Sequence, residues 1–200
     1  MDKETLNPIA QQELDYWKRD FEIYGGDEGY VEARKGAVPH HTEFFGNYLN
    51  AEIGPGLDIG PGLVSIFESL PIDPMFAIEP LQDEYSKVVS PDRLRVKYIT
   101  GSGEDMNMFE DGQFNFVYCV NVIDHTPNPD KLIAEVRRVL KPGGNFYFQV
   151  NFDETLSSCH YQLWRDETVV EYLGDWNLLN SYCYGRPEYN QTLFWAVYKK

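Results

Sequence analysis

Three things are scarce in this sequence. Cysteine is one: Cys119, Cys159 and Cys183 are the whole complement in 200 residues. Three scattered thiols build neither a disulfide framework nor a zinc site, so a reducing, cytoplasmic compartment is expected. Positive charge is the second, with 17 Lys and Arg against 32 Asp and Glu, a net charge of −15. So acidic a chain repels phosphate backbones, and a nucleic-acid partner would need a local basic patch. The densest basic cluster, Arg93, Arg95 and Lys97, lies on alternate residues of a strand entry, while Arg137, Arg138 and Lys141 stand at a helix end that favours cations. No nucleic acid is expected. Long apolar runs are the third scarcity, which argues against a transmembrane helix and a membrane partner. The charged start, Met1-Asp2-Lys3-Glu4-Thr5, is not a signal peptide.

What is present is ordinary globular composition, 42% hydrophobic and 24% charged, in a length that suits one domain over residues 1–200. Apolar residues at Ile9, Leu14, Trp17 and Phe21 have a loosely helical spacing. Gly25-Gly26-Asp27-Glu28-Gly29 interrupts it, and Phe44, Phe45, Tyr48 and Leu49 suggest a second short helix. Residues 1–50 therefore read as a helical cap. From Gly56 the pattern alternates strands with helices: Leu57-Asp58-Ile59, a short helix over Leu63–Leu70, Met75–Ile78, Leu94–Ile99, and the almost uniformly apolar run Phe114–Val122. Asn128-Pro129 opens a helix whose stripe is Leu132, Ile133, Val136, Val139 and Leu140, and Pro142-Gly143-Gly144 stops it. A strand over Asn145–Phe152, a helix over Trp164–Leu173 and two closing strands, Trp176–Tyr184 and Gln191–Tyr198, complete the chain. The fold class is α/β, with a doubly wound, mostly parallel sheet and an antiparallel edge. Residues 54–152 form its core and 153–200 its substrate-side helix and closing strand pair.

In such a sheet ligands bind beyond the carboxyl ends of the strands. Four strand ends carry suggestive residues. The first is Asp58-Ile59-Gly60-Pro61-Gly62, where glycines permit a tight turn and close approach of a ligand. The second is Glu79-Pro80, about 20 residues further on, where an acid can accept both hydroxyl hydrogens of a ribose. The third is Gly101-Ser102-Gly103-Glu104-Asp105 and the fourth Asn121, followed by Asp124-His125. A glycine turn or a lone acid is commonly structural; the two in order and at this spacing favour a nucleoside site. A dinucleotide site wants a later glycine for close helix approach to the pyrophosphate, and here Val64 follows instead. S-adenosylmethionine carries no phosphate, and an acidic setting suits its sulfonium cation.

Leu57–Gly62, Glu79, Gly112-Gln113-Phe114-Asn115-Phe116-Val117 and Arg138-Val139-Leu140-Lys141-Pro142-Gly143-Gly144 resemble the successive motifs of class I S-adenosylmethionine-dependent methyltransferases. The resemblance is to the small-molecule, type 11-like branch and spans about residues 54–152. It implies a seven-stranded Rossmann-like sheet with an antiparallel last strand, S-adenosylmethionine as cofactor, and a transferase that methylates an oxygen or nitrogen of a small molecule such as a sugar, amine or phenol. By position, Gly60, Pro61 and Gly62 would face the methionine portion, Asp58 its amino group, and Glu79 with Pro80 the ribose. Ser102, Gly103 and Glu104 would stand at the adenine, although serine or a shifted Glu104 replaces the usual aspartate, and Asn121 would lie beside the cofactor. His125, with Asp124, would deprotonate the acceptor, or His125 shapes its loop and Asp124 caps it. His40 and His41 are a second candidate pair, more often solvent-facing capping residues. Among 14 tyrosines and four tryptophans, Tyr30, Tyr161, Trp164 and Tyr184 come from segments that would border a substrate pocket. Two other readings stay open: a module that binds S-adenosylmethionine without catalysis, and a nicotinamide-dependent oxidoreductase.

Overall fold

The computed structural model describes residues 6–152, 160–186 and 191–200, apart from the side chains of 27, 28, 35, 37–40 and 42. Two helices open the chain. Helix α1 (Pro8–Ile23) starts where Asn7 accepts the Ala10 N–H at 2.9 Å and Pro8 supplies a preset φ at the first helical position. Gly25, with φ 84°, turns the chain into α2 (Gly26–Leu49), a position that glycine alone adopts without strain. The expected short helix at Phe44–Leu49 is therefore the last part of a helix of 24 residues. The glycine cluster reorients the chain and does not lengthen the loop, because Gly26 and Gly29 are accommodated inside the helix.

Strands β1 (Gly56–Ile59), β2 (Met75–Glu79), β3 (Lys97–Thr100), β4 (Phe114–Val120), β5 (Leu140–Phe152), β6 (Asn177–Arg186) and β7 (Gln191–Lys199) form one sheet in the order β3-β2-β1-β4-β5-β7-β6. The first five pair in parallel; β7 runs antiparallel to both β5 and β6. The order reverses between β1 and β4, which sets the ligand-binding crevice at the carboxyl ends of those two strands.

Alternation along the strands divides the core. Leu57 and Ile59 face one side with Val117, Cys119, Phe146, Phe148 and Trp164. That side is covered by α4 (Pro129–Val139), which buries Leu132, Ile133, Val136 and Val139 at helical spacing, each contributing about 1.5–3 kcal/mol. The opposite face carries Ala77, Phe116, Tyr118, Tyr147 and Trp195 beneath Phe45 and Leu49 of α2. A third cluster joins Leu14 of α1 and Tyr30 of α2 to Leu63, Val64, Leu81, Tyr85 and Val89. The N-terminal helices thus cover the carboxyl side of β1 and β2.

Three local expectations change. Leu63–Leu70 contains only a 3-10 turn, Ile66–Ser69, which Ser65 caps by accepting the Phe67 N–H and which stops before Pro71. Helix α4 ends at Val139, before Pro142, and β5 begins at once at Leu140, which pairs with Phe114. Tyr30 and Trp164, expected beside a pocket, are 1% and 0% exposed in the core. The remaining helices are short, α3 (Gln82–Tyr85) after β2 and α5 (Asp166–Leu173) before β6. The basic residues are also committed: Arg95 donates to the carbonyls of Phe67, Leu70 and Ile72, and Arg138 to Glu135, Asp111 and the carbonyls of Met106 and Phe109. Arg137 forms a bidentate pair with Asp175. Among the described residues, no helix is long and apolar enough to cross a membrane.

Candidate active site

The loop leaving β1 is built around two glycines in the left-handed region, Gly60 at φ 64° and Gly62 at φ 69°. Side chains would not fit there. A Cβ on Gly60 would stand 2.7 Å from Val122, and one on Gly62 would stand 2.7 Å from the Trp17 indole of α1. Pro61 between them is buried. Behind the loop, Asp58 is 3% exposed and accepts a 2.5 Å hydrogen bond from Ser65 Oγ. Burial pushes its carboxyl up to about 7, against the Ser65 bond and the nearby Arg34 guanidinium, which pull it down. Arg34 donates to the Val64 carbonyl and lies over the Trp17 ring. Ser65, Arg34 and Trp17 escaped the sequence reading. Only Trp17 had left a signal there, as one apolar position of α1.

Glu79 ends β2 facing this loop. Its carboxylate accepts the Leu81 N–H at 3.0 Å and the Gly62 N–H at 3.3 Å, so it fastens the glycine loop to the second strand. Burial pushes its carboxyl up to about 7 against these two donors. Pro80 beyond it is exposed. At the end of β3, Ser102 accepts the Glu104 N–H at 3.1 Å and bridges to Asp105. Gly103 is held against Ile59 and Leu132, where a Cβ would come within 2.9 Å. Glu104 accepts from both the backbone and side-chain amides of Asn128, at 3.1 Å each. Its carboxylate is therefore drawn toward the start of α4. Among the described residues Asn121 is alone among non-glycines in having positive φ, 58°, and its side chain accepts from Asn151 Nδ2 at 2.5 Å. Asparagine tolerates that conformation better than most residues.

A 3-10 turn, Ile123–His125, follows. Asp124 is 2% exposed and His125 half-buried. His160, from the chain leading into α5, joins them: its ring lies 4.5 Å from that of His125, and its Nε2 is 3.9 Å from Asp124 Oδ2. The Tyr161 N–H donates to the Asp124 carbonyl at 2.8 Å and pins this segment. Nothing in the spacing of His160 announced it; helix α4 and the whole of β5 separate it from His125 in the chain. Of the other histidines, His41 Nδ1 sits 2.6 Å from the Tyr118 hydroxyl, within the sheet's opposite face, and the side chain of His40 lies outside the described residues, as does Cys159. Tyr184 lines a cleft of about 450 Å³ with Phe44, Tyr182 and Trp195.

Strand order, the glycine turn and the acid at β2 define a class I methyltransferase fold, and comparison with known proteins agrees. Residues 57–148 match the family described as Methyltransferase domain. Human thiol S-methyltransferase TMT1B is 33% identical over 81 residues, 40% of this chain and 33% of that protein. The ubiquinone biosynthesis O-methyltransferase of Xanthomonas oryzae pv. oryzae is 35% identical over 54 residues, 27% of this chain and 23% of that protein. The aligned segments thus span a third or less of either relative. The crystal structure of the Burkholderia thailandensis 1,6-didemethyltoxoflavin-N1-methyltransferase, with S-adenosylhomocysteine bound, superposes with TM-score 0.62 at 15% identity over 100% of this chain and 93% of that one. Over residues 57–148, just under half of its length, the chain is similar to the methyltransferase domain family, and its fold is that of solved methyltransferase structures.

Proposed function

We propose that this chain binds S-adenosylmethionine at the carboxyl ends of β1 and β2 and transfers its methyl group to a nucleophilic atom of a small molecule. The observation that carries the reading is Glu79: a buried carboxylate at the end of β2, next to the strand that borders the topological switch, already holding the Gly62 and Leu81 amides. Each carboxylate oxygen has lone-pair capacity beyond those two bonds, so a ribose diol can be accepted without breaking them. Gly60 and Gly62 leave backbone bare where the methionine portion would pass, and Asp58 is a second acid for its ammonium group. Gly103 offers the adenine a surface without a side chain; Ser102 offers a hydroxyl, while Glu104 is tied to Asn128.

When bound, the cofactor supplies an electrophilic methyl carbon on a sulfonium. The protein's part is to align the acceptor in line with that carbon and to keep water away. Asn121, Asp124 and His125 would border the acceptor side, and a proton leaving an acceptor hydroxyl or amine would pass to that loop. The relatives methylate sulfur, oxygen and nitrogen by name, and the acceptor proposed here is an oxygen or nitrogen. Calorimetry with S-adenosylmethionine and S-adenosylhomocysteine, on the native chain and Glu79→Ala, tests the reading. Binding that is lost in the folded variant supports it; no binding of either ligand to the native chain ends it. Release of S-adenosylhomocysteine across a panel of sugars, amines and phenols then separates an enzyme from a binding module. NADH fluorescence unchanged on mixing excludes the oxidoreductase reading.

A further inference from the structure

We infer that Asp124, His125 and His160 form a site for a divalent transition-metal ion beside the turn that follows β4. One ligand atom from each residue can be chosen so that all three lie within 4.8 Å of one another. Bonds of about 2.0–2.2 Å from one ion to imidazole nitrogen and carboxylate oxygen put neighbouring ligand atoms roughly 3–4 Å apart. The 3.9 Å from His160 Nε2 to Asp124 Oδ2 is already in that range. It is too long for a hydrogen bond and short enough for a shared ion. The three groups come from two segments that the fold brings together. The turn after β4 supplies Asp124 and His125, and the Tyr161 amide fixes His160's segment to that turn. All three side chains are withdrawn from solvent: Asp124 is buried and both histidines are half-buried. Ligation would not need a large rearrangement.

The donor set selects the metal. Two imidazoles and one carboxylate suit zinc, iron(II), cobalt(II) or nickel(II), whereas magnesium and calcium prefer oxygen throughout. Three protein ligands leave at least one position open, as catalytic sites of this kind do. Val122, from the same turn, packs over Gly60, so the three groups lie next to the glycine loop. The consequence rests on the methyltransferase reading. An acceptor hydroxyl that donates a lone pair to the ion would release its proton to solvent at a lower pH. Its remaining lone pair then forms the bond to the methyl carbon, and the carbon–sulfonium bond breaks with its electrons left on sulfur. This role replaces that of His125 as a free base, since a ring nitrogen bound to a cation has no lone pair left to take a proton.

The experiment titrates cobalt(II) into chelator-treated, untagged protein and follows the visible absorption of the ion, with zinc as competitor. One equivalent should bind to the native chain and be displaced by zinc. His125→Ala and His160→Ala, shown folded by circular dichroism, should bind about a hundredfold more weakly or worse. Cys183→Ala, which removes an exposed thiol, should bind as the native chain does. Saturation absent at millimolar cobalt, or retained in His160→Ala, overturns the site. S-adenosylhomocysteine calorimetry on the same samples keeps the two readings apart. Cofactor binding without cobalt binding refutes the metal site alone; cobalt binding without cofactor binding refutes the methyltransferase reading alone.

Discussion

Replacing Glu79 with glutamine separates what this carboxylate does for the fold from what it does for the ligand. In the free protein the carboxyl is buried and pushed up to about 7 from an ordinary 4.5. The native state therefore binds more protons than the unfolded chain between those values, and stability falls as pH rises through that window. Two and a half units at 1.36 kcal/mol each set an upper bound of about 3 kcal/mol for the loss. The amide of Glu79→Gln has no charge to bury, so that part of the pH dependence should vanish, leaving the slope due to Asp58, which shifts in the same direction. The amide has one cost. It can accept from Leu81 or from Gly62 but not from both with the same geometry, and one buried donor loses about 1–3 kcal/mol. At pH 5 the variant should thus be less stable than the native chain, and by pH 8 the two should approach each other. Ligand affinity should move differently. Losing one charge-assisted acceptor to a ribose hydroxyl removes about 1.5–3 kcal/mol, or roughly tenfold to a hundredfold in Kd. Urea unfolding from pH 5 to 8 and S-adenosylhomocysteine calorimetry at pH 8 make the measurement. A variant whose stability follows pH as the native chain's does would refute the buried-carboxyl argument. Affinity within threefold of native would refute the ribose assignment.

Further substitutions test the loop, its cover and the core. Gly60→Ala should lose more stability than Gly143→Ala, because both have positive φ but only Gly60 meets a neighbour, Val122, while Gly143 faces open space. The backbone term is about 1–3 kcal/mol in each, and equal melting temperatures would mean that Val122 yields without cost. Trp17 lies on Gly62 and donates to Glu13 at 2.7 Å, so a ligand seated against that glycine must repack the ring. Its emission should change on addition of S-adenosylhomocysteine, and the same change persisting in Trp17→Phe would assign the signal to another tryptophan. Trp164→Ala should cost about 3–5 kcal/mol in urea unfolding, since the ring is fully buried against Phe148 and Tyr172. A loss below about 1 kcal/mol would show that the core closes over the cavity.

The sheet was legible because its signals are local. Phe114–Val120 is apolar but for Asn115 since both of its faces are covered, and Asn128-Pro129 marks a helix start whatever surrounds it. The same locality explains the error at Leu63–Leu70, which has the apolar content of a helix but forms only a 3-10 turn, capped by Ser65 and stopped before Pro71. The break at Gly25 was legible, since one helix ends at Ile23 and the next starts at Gly26. Part of the site was legible for a different reason. Gly60, Gly62 and Glu79 act through backbone geometry and one strand's spacing, and a single strand–crossover–strand unit holds all three.

The acceptor side depends instead on contacts that only the folded chain creates. Asp124 and His125 are visible as neighbours in sequence, yet His160, which arrives across β5, stands beside them only in the fold. Trp17 likewise comes from a helix far outside the motif region, and it covers the second glycine of the loop. These two contributions have something in common. Both come from segments outside residues 57–148, the part that matches the methyltransferase family. On the proposed reading the matched core would hold the cofactor and supply Asp124 and His125, and the segments before and after it would add Trp17 and His160. Substrate choice in this chain should therefore be altered by exchanging residues of α1 and of the stretch before α5, while exchanges within β1 and β2 should alter cofactor affinity and leave the choice of acceptor unchanged.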